Sequence, residues 1–434
     1  MSDRAFRFLV ASDLHLEQPV VGLADPPSHL RELMIEAPYL AAERVFETAL
    51  SEDVDFLLLA GDVVNPWASG PRGPAFLVEQ FRRLAARDVQ VFWAASALDR
   101  TQEWPVRIEL PGNVTLFPPE APLTRWAQRG EARLARVVGV CTNGSSRPRA
   151  DDFAVDENVF SIAVVHGHFE AHQLAQSSIN FWALGGSHLR KVLLEGIPVV
   201  LYPGSVQGRI PCEVGAHGCT LVEVAPRPVA DDERRPPRYD IRLRTIQTDV
   251  LQWRDIELRA EHLTSHAQLQ DALVTQLAAL HDTARDTDLI VHVNVLADLQ
   301  LIAEWRPFAP TLLEHARHVL GHRSPTCWTA SISFRAAPDD FRWDEDTLLG
   351  DVLRELQQYK DDASLAVELS AYATQRQLAG TLGAQLAFLD NDARSAVLAD
   401  AAALAIDLLG PGEADRQTAA TAPASMQASG RGTS

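Results

Sequence analysis

From Phe6 to Val224 the chain alternates short apolar runs with amphipathic stretches, and few architectures accept that alternation. Strands are expected at Phe6 to Ala11, Phe56 to Ala60, Val89 to Ala94, Val137 to Cys141, Ser161 to Val165, Ile197 to Tyr202 and Thr220 to Val224. Pro74 to Asp88 predicts a helix, because Leu77, Phe81 and Leu84 recur at the i, i+4, i+7 spacing of one buried face. Strands alternating with helices specify a layered α/β fold. Several strands stop at small or charged residues, as in Ala11-Ser12-Asp13 and Ala60-Gly61-Asp62. In such folds the carboxyl ends of strands, and the loops after them, are where sites are built.

Pro226 to Arg238 breaks the pattern with prolines and mixed charges, which suit neither a helix interior nor a central strand. The expected division is therefore 1–225, a linker 226–240, a smaller α/β unit 241–336, a helical segment 337–410 and a tail 411–434. The smaller unit has strands near Ile241 to Thr245, Leu289 to Leu296 and Trp328 to Phe334. Between the first two lies a helix opened by Ser265, with Leu269, Leu273, Leu277 and Leu280 on one stripe. Leu348, Val352, Leu353 and Leu356 make a stripe in the helical segment. The tail has no Leu, Ile, Val, Phe, Tyr or Trp and is expected to be disordered.

The 434 residues carry a net charge of −19, which disfavours indiscriminate binding to phosphate backbones, so a nucleic acid must meet a local basic patch or a metal. The four cysteines form no CxxC pair and read as reduced thiols. No apolar run reaches the roughly 18 residues of a membrane helix, and the N-terminus has no leader pattern. A cytoplasmic protein without membrane association is expected.

Four strand ends each deliver an Asp or a His: Asp13-Leu14-His15, Gly61-Asp62, His166, and the Gly185-Gly186-Ser187-His188 turn. Each alone is ordinary turn chemistry. Together they read as a metal site, and mixed imidazole and carboxylate donors suit Mn, Fe or Zn rather than Ca or Mg.

In order and spacing this set resembles the calcineurin-like metallophosphoesterases. The stretch from Tyr202 through Gln207 and Arg209 to Glu213 and Val224 is similar to their DNA-repair exonuclease branch, the SbcD and YhaO type. The resemblance implies a four-layer αββα sandwich with a smaller α/β capping domain and C-terminal helices. It implies a first metal on Asp13, His15, Asp62 and His188, and a second that shares Asp62 and takes His166, with Asp62 and His166 at the reacting centre. Manganese is favoured over iron or zinc. The implied activity is metal-dependent hydrolysis of nucleic-acid phosphodiesters at DNA ends, with an SMC-like coiled-coil ATPase as partner and a homodimer as a further expectation. Gln207 and Arg209, close behind the His188 turn, are the substrate-binding candidates.

The chain departs from the family pattern at three clustered positions. Ala97 and Leu98 stand where the family has a ligating Asn and a catalytic His, and Gly186 stands where it has the first His of its last motif. One firm metal site and a doubtful second follow, with His168 and Asp99 as possible substitute ligands and weakened activity expected. The competing reading is an inactive phosphoesterase-fold scaffold or DNA-end-sensing subunit of the ATPase complex.

Overall fold

A computed structural model describes residues 4–361 except 100–103, 105–108, 143–147, 154–158, 228–237, 285, 298 and 337–347, together with residues 398, 401, 402, 404, 405 and 409. It divides into two compact units, Met1–Leu258 with Ala267–Val293 and Pro310–Ile332, and Arg259–His266 with Asn294–Ala309 and Ser333–Ser434.

The strands of the first unit begin with β1 (Phe6–Ala11), β2 (Phe56–Leu59), β3 (Gln90–Trp93) and β4 (Val114–Leu116). They continue with β5 (Leu123–Arg129), β6 (Ala132–Val140), β7 (Ser161–His166), β8 (Phe181–Gly185), β9 (Lys191–Leu194), β10 (Val199–Tyr202), β11 (Gly218–Arg227) and β12 (Arg238–Gln247). One six-stranded sheet has the order β12-β11-β1-β2-β3-β4 and the other β5-β6-β7-β8-β10-β9. The neighbours β1, β2, β3 and β4 run parallel, as do β6, β7, β8 and β10. Parallel strands are buried on both faces, which is why β1 and β2 read as nearly unbroken apolar runs.

The two sheets pack face to face through aromatic rings. Phe8 stacks on Phe56 at 4.9 Å within the first sheet and meets Phe181 of the second edge-on at 5.2 Å. Helices α1 (Ser28–Ser51) and α3 (Arg72–Ala85), with the one-turn α2 (Pro66–Ser69) before it, cover the outer face of the first sheet. They contribute Val45, Phe46, Leu77 and Phe81 to the main core. On the outer face of the second sheet a separate core gathers Val165, Trp182, Leu184 and Val200 under Leu174 of the one-turn helix α4 (Ala171–Leu174). The expected α/β sandwich is present, with its fourth layer reduced to α4 and adjoining loops among the described residues.

Two expectations are corrected. β12 does not open a separate unit; it pairs antiparallel with β11 from Gly218↔Gln247 to Arg227↔Arg238 and forms the edge of the first sheet. Tyr239, Ile241 and Leu243, at the period of a half-buried strand, pack on the main core. The Pro-rich stretch therefore connects two adjacent strands rather than two domains. Most of 241–336 also lies in the first compact unit. β13 (Leu251–Arg259), β14 (Asp288–Ala297) and β15 (Cys327–Ala336) form a three-stranded sheet. Trp253, Ile290 and Trp328 from that sheet share a core with Leu30 and Met34 of α1.

The helix α5 (His266–Asp282) begins directly after Ser265 and buries Leu269, Leu273 and Leu277 as expected. It is followed by α6 (Leu299–Trp305), α7 (Ala309–Leu320) and α8 (Leu348–Asp361). In the second unit Leu353 of α8 is buried with Ala402, flanked by Leu349 and Leu356. Residues 411–434, expected to be disordered, lie outside the described residues. No helix among the described residues is long and apolar enough to cross a membrane.

Candidate metal centre

The carboxyl ends of β1, β2, β7 and β8 meet at one edge of the sandwich. The loops after β1 and β2 are joined by backbone hydrogen bonds, Asp13 N–H to Gly61 O at 3.0 Å and His15 N–H to Asp62 O at 3.0 Å. Asp13, His15 and Asp62 all have left-handed backbone conformations, with φ of 53°, 43° and 52°. For side chains other than glycine this is strained, and such strain concentrates where a site over-determines the backbone. Across the two sheets the fit is close: a Cβ on Gly185 would lie 1.7 Å from the carbonyl oxygen of Ala60.

Five side chains converge there. Asp13, His15 and His188 form one group of potential metal donors, and Asp13, Asp62 and His166 form another that shares Asp13. Asp13 Oδ1 lies 4.0, 3.8 and 4.0 Å from Nε2 of His15, His166 and His188. Asp62 Oδ2 lies 3.6 Å from His15 Nε2 and 3.4 Å from His166 Nε2. These spacings are too long for strong hydrogen bonds and suit donors arranged around a cation. Both ring nitrogens of His15 and Nε2 of His166 are buried without a hydrogen-bond partner. Buried polar atoms ordinarily find partners, so imidazole nitrogens gathered without one beside two carboxylates fit a metal ion. The five residues expected as ligands are thus brought together.

The electrostatics differ between the two buried imidazoles. Burial, reinforced by the nearby Arg209, pushes the His15 pKa down to about 4 and keeps its ring neutral, as a ligand must be. Burial alone would raise Asp62, but His166, Ser96 and His15 overcome it and hold the carboxyl at about 2. Burial would likewise lower His166, yet Asp13 and Asp62 outweigh it and raise its pKa to about 10.

Around these donors sit groups that the sequence did not single out as part of the site. Glu17, almost wholly buried, has Oε1 4.0 Å from His15 Nδ1 and accepts from the Asn65 amide at 2.9 Å. Glu213 Oε1 lies 2.6 Å from His188 Nδ1. The carboxylate of Glu213 is held down at about 2, against the raising effect of burial, by His188 and by the Arg209 amide. Only their carboxylate type could have signalled them, since both contacts depend on how loops fold back.

The remaining candidates are placed differently. Asp99 is fully buried and its carboxylate accepts from the amides of Val63, Val64 and Ser96 at 2.7, 2.9 and 2.7 Å, so it braces the loops after β2 and β3. Burial, opposed by those amides, raises its pKa to about 7. His168 points away, with its side chain 78% exposed and 3.5 Å from Glu170. Neither joins a donor group among the described residues. Gln207, expected at the substrate, is buried; it donates to the carbonyls of Gly208 and Leu251 and accepts from the Val250 amide. Arg209 does reach the centre, with Nη2 at 3.3 and 3.4 Å from the two ring nitrogens of His188 and Nη1 bonded to Gln18. Ala97 and Leu98 are exposed in the loop after β3.

Residues 6–183 match the family described as calcineurin-like phosphoesterase. The chain is 31% identical over 237 residues to a protein of Bacillus subtilis (strain 168) named uncharacterized metallophosphoesterase YhaO. The match covers 50% of this chain and 57% of that relative, so this chain spans little more than half of the relative's length. Among solved structures the chain is similar to Yfce, a phosphoesterase from E. coli, at 16% identity and a TM-score of 0.25, over 50% of this chain and 91% of that one.

Proposed function

We propose that this chain is a metal-dependent phosphodiesterase acting on nucleic-acid phosphodiesters, with turnover weakened by the loss of groups around its second donor set. The observation that carries the reading is the convergence of Asp13, His15, Asp62, His166 and His188 at the joined edge of two sheets, with buried nitrogens that have no other partner. Asp13, His15 and His188 would hold one divalent ion, and Asp62 and His166 stand beside them with Asp13 in common. A divalent metal held there supplies Lewis-acid polarisation of a phosphoryl oxygen and lowers the pKa of water.

The protein's own groups complete the site. Arg209 supplies a fixed, buried guanidinium next to His188, where it offsets the carboxylates around the centre. Weakened turnover is supported by Leu98, which cannot donate a proton to a leaving oxygen, and by the commitment of Asp99 and His168 elsewhere. Loss of a positioned proton donor typically costs about 10² to 10⁴ in rate. The same absence favours a second reading, a DNA-end-sensing subunit that binds without cutting. An SMC-like coiled-coil ATPase partner, a cytoplasmic location, self-association and manganese as the ion belong to this proposal.

The test is metal analysis of protein purified without chelator, followed by hydrolysis of a generic phosphodiester and of DNA ends with added Mn²⁺. Bound metal with slow, Mn²⁺-dependent cleavage supports the enzyme. Bound metal and tight end binding without cleavage moves the reading to the sensing subunit, and protein free of transition metal overturns both.

A further inference from the structure

The environment of His188 is more constrained than a ligand on a loop requires. His188 Nδ1 faces Glu213 Oε1 at 2.6 Å, and a carboxylate can only accept, so Nδ1 carries the proton and Nε2 is left on the side of Asp13, 4.0 Å from its Oδ1 and 3.3 Å from Arg209 Nη2. Glu213 is itself fixed at two other points. Its Oε2 accepts from the Arg209 amide at 2.6 Å, and its carbonyl lies 3.3 Å from Nε2 of His217. His217 Nδ1 meets Ser205 Oγ at 2.9 Å, and the Ser205 amide donates to the His188 carbonyl at 2.9 Å. The path His188, Glu213, His217, Ser205 and back to His188 is a closed ring of hydrogen bonds, buried at every member but His188. Gly208 is part of the fit, since a Cβ there would lie 2.9 Å from the Glu213 carbonyl.

We propose that Glu213 is a positioning residue that selects the Nδ1–H tautomer of His188 and aims its Nε2 at the metal position, the rest of the ring holding Glu213 in register. The inference rests on the reading of Asp13, His15 and His188 as metal donors. A carboxylate behind a ligating imidazole orients the ring and raises its basicity, and its loss typically costs about 10- to 100-fold in metal affinity. His188 needs this support most, because its side chain is 37% exposed whereas that of His15 is buried on all sides.

The experiment compares full-length wild type, Glu213→Ala, Glu213→Gln and His188→Ala. Mn²⁺ affinity is measured by titration of demetallated protein, and the His188 tautomer by ¹⁵N NMR of histidine-labelled metal-free protein. Expected are a protonated Nδ1 on His188 in wild type, loss of that tautomer preference in Glu213→Ala, and affinity weaker by about 10- to 100-fold. Glu213→Gln, which keeps an acceptor oxygen, should recover part of both. A tautomer and an affinity unchanged in Glu213→Ala, while His188→Ala weakens binding, overturn the proposal and leave the metal site standing. Wild type that binds no Mn²⁺, or His188→Ala that binds like wild type, overturns the metal reading itself. If Glu213→Ala does not fold, a Glu213→Gln variant with wild-type melting temperature but intermediate affinity still carries the inference, and one with unchanged affinity and tautomer defeats it.

Discussion

The backbone amide of Gly186 donates to both carboxylate oxygens of Asp13, at 3.2 Å to Oδ1 and 3.0 Å to Oδ2. Gly186 belongs to the turn after β8 and Asp13 to the loop after β1, so this contact ties the second sheet to the carboxylate shared by both donor groups. Its φ of +98° is open to glycine and strained for other residues, and a Cβ there would lie 3.2 Å from His166 Nε2. The position where the resembling family carries a histidine is thus used here for a backbone donor and for space beside His166.

Gly186→Ala should therefore destabilise the protein by about 1 to 3 kcal/mol and weaken metal binding by displacing His166. Gly186→His, which would restore the family residue, should behave worse rather than better. Melting temperature and bound metal per chain check both, and a Gly186→His variant that gains metal without losing stability would contradict the expectation.

His166 predicts a proton linked to metal binding. Its folded pKa, raised to about 10, lies above the ordinary value, so in the metal-free protein its pairing with Asp13 and Asp62 stabilises fully below about pH 6.5 and is lost as pH rises through 10. A metal needs the unprotonated Nε2, so binding at neutral pH must release that proton, and affinity should rise by up to about tenfold per pH unit until about pH 10. His15, at about 4, adds no such step near neutrality. Calorimetry in buffers of different ionisation enthalpy counts the released protons, and His166→Gln should abolish the release.

Gln207 separates structure from substrate binding. Gln207→Ala strands the Val250 amide and the carbonyls of Gly208 and Leu251 in the interior. At about 1 to 3 kcal/mol for a buried group left unsatisfied, stability should fall by at least about 2 kcal/mol. Metal content and the KM for a phosphodiester should stay at wild-type levels. A changed KM with unchanged stability would return Gln207 to the substrate.

How far the sequence carried the fold follows from burial. β1 occupies the six residues expected of it, because a strand buried on both faces announces itself as an apolar run. The five donors were legible because each follows such a strand. β5 is a polar sheet edge, half exposed along Leu123–Arg129, and gives no comparable signal. α1 carries Pro38 in its interior, a residue that locally argues against a 24-residue helix. β12 was misplaced because its flanking prolines and charges look the same in a hairpin connection as in a linker. Residue type and spacing brought Asp99, His168 and Gln207 near the site without saying which way each side chain faces. The pairing of Glu213 with His188 spans 25 residues and leaves no local trace.

Asp13 offers the sharpest test of the centre, since it alone belongs to both donor groups. A ligand that binds only the folded state stabilises it by about 2.7 kcal/mol at 100 times its dissociation constant, equivalent to roughly 5 to 10 °C for a domain of this size. Wild type should show such a rise on adding Mn²⁺ to demetallated protein, reversed by chelator. Asp13→Asn keeps an oxygen for the Gly186 amide but removes the charge both groups share, so the rise should vanish, and the metal-free melting temperature should fall with the lost pairing to His166. Asp62→Asn removes a carboxylate that belongs only to the second group, although it lies 3.6 Å from His15 of the first, and should leave part of the rise intact. An Asp13→Asn variant that still gains the full wild-type shift would place the ion elsewhere and remove the basis for reading this edge as the reacting centre.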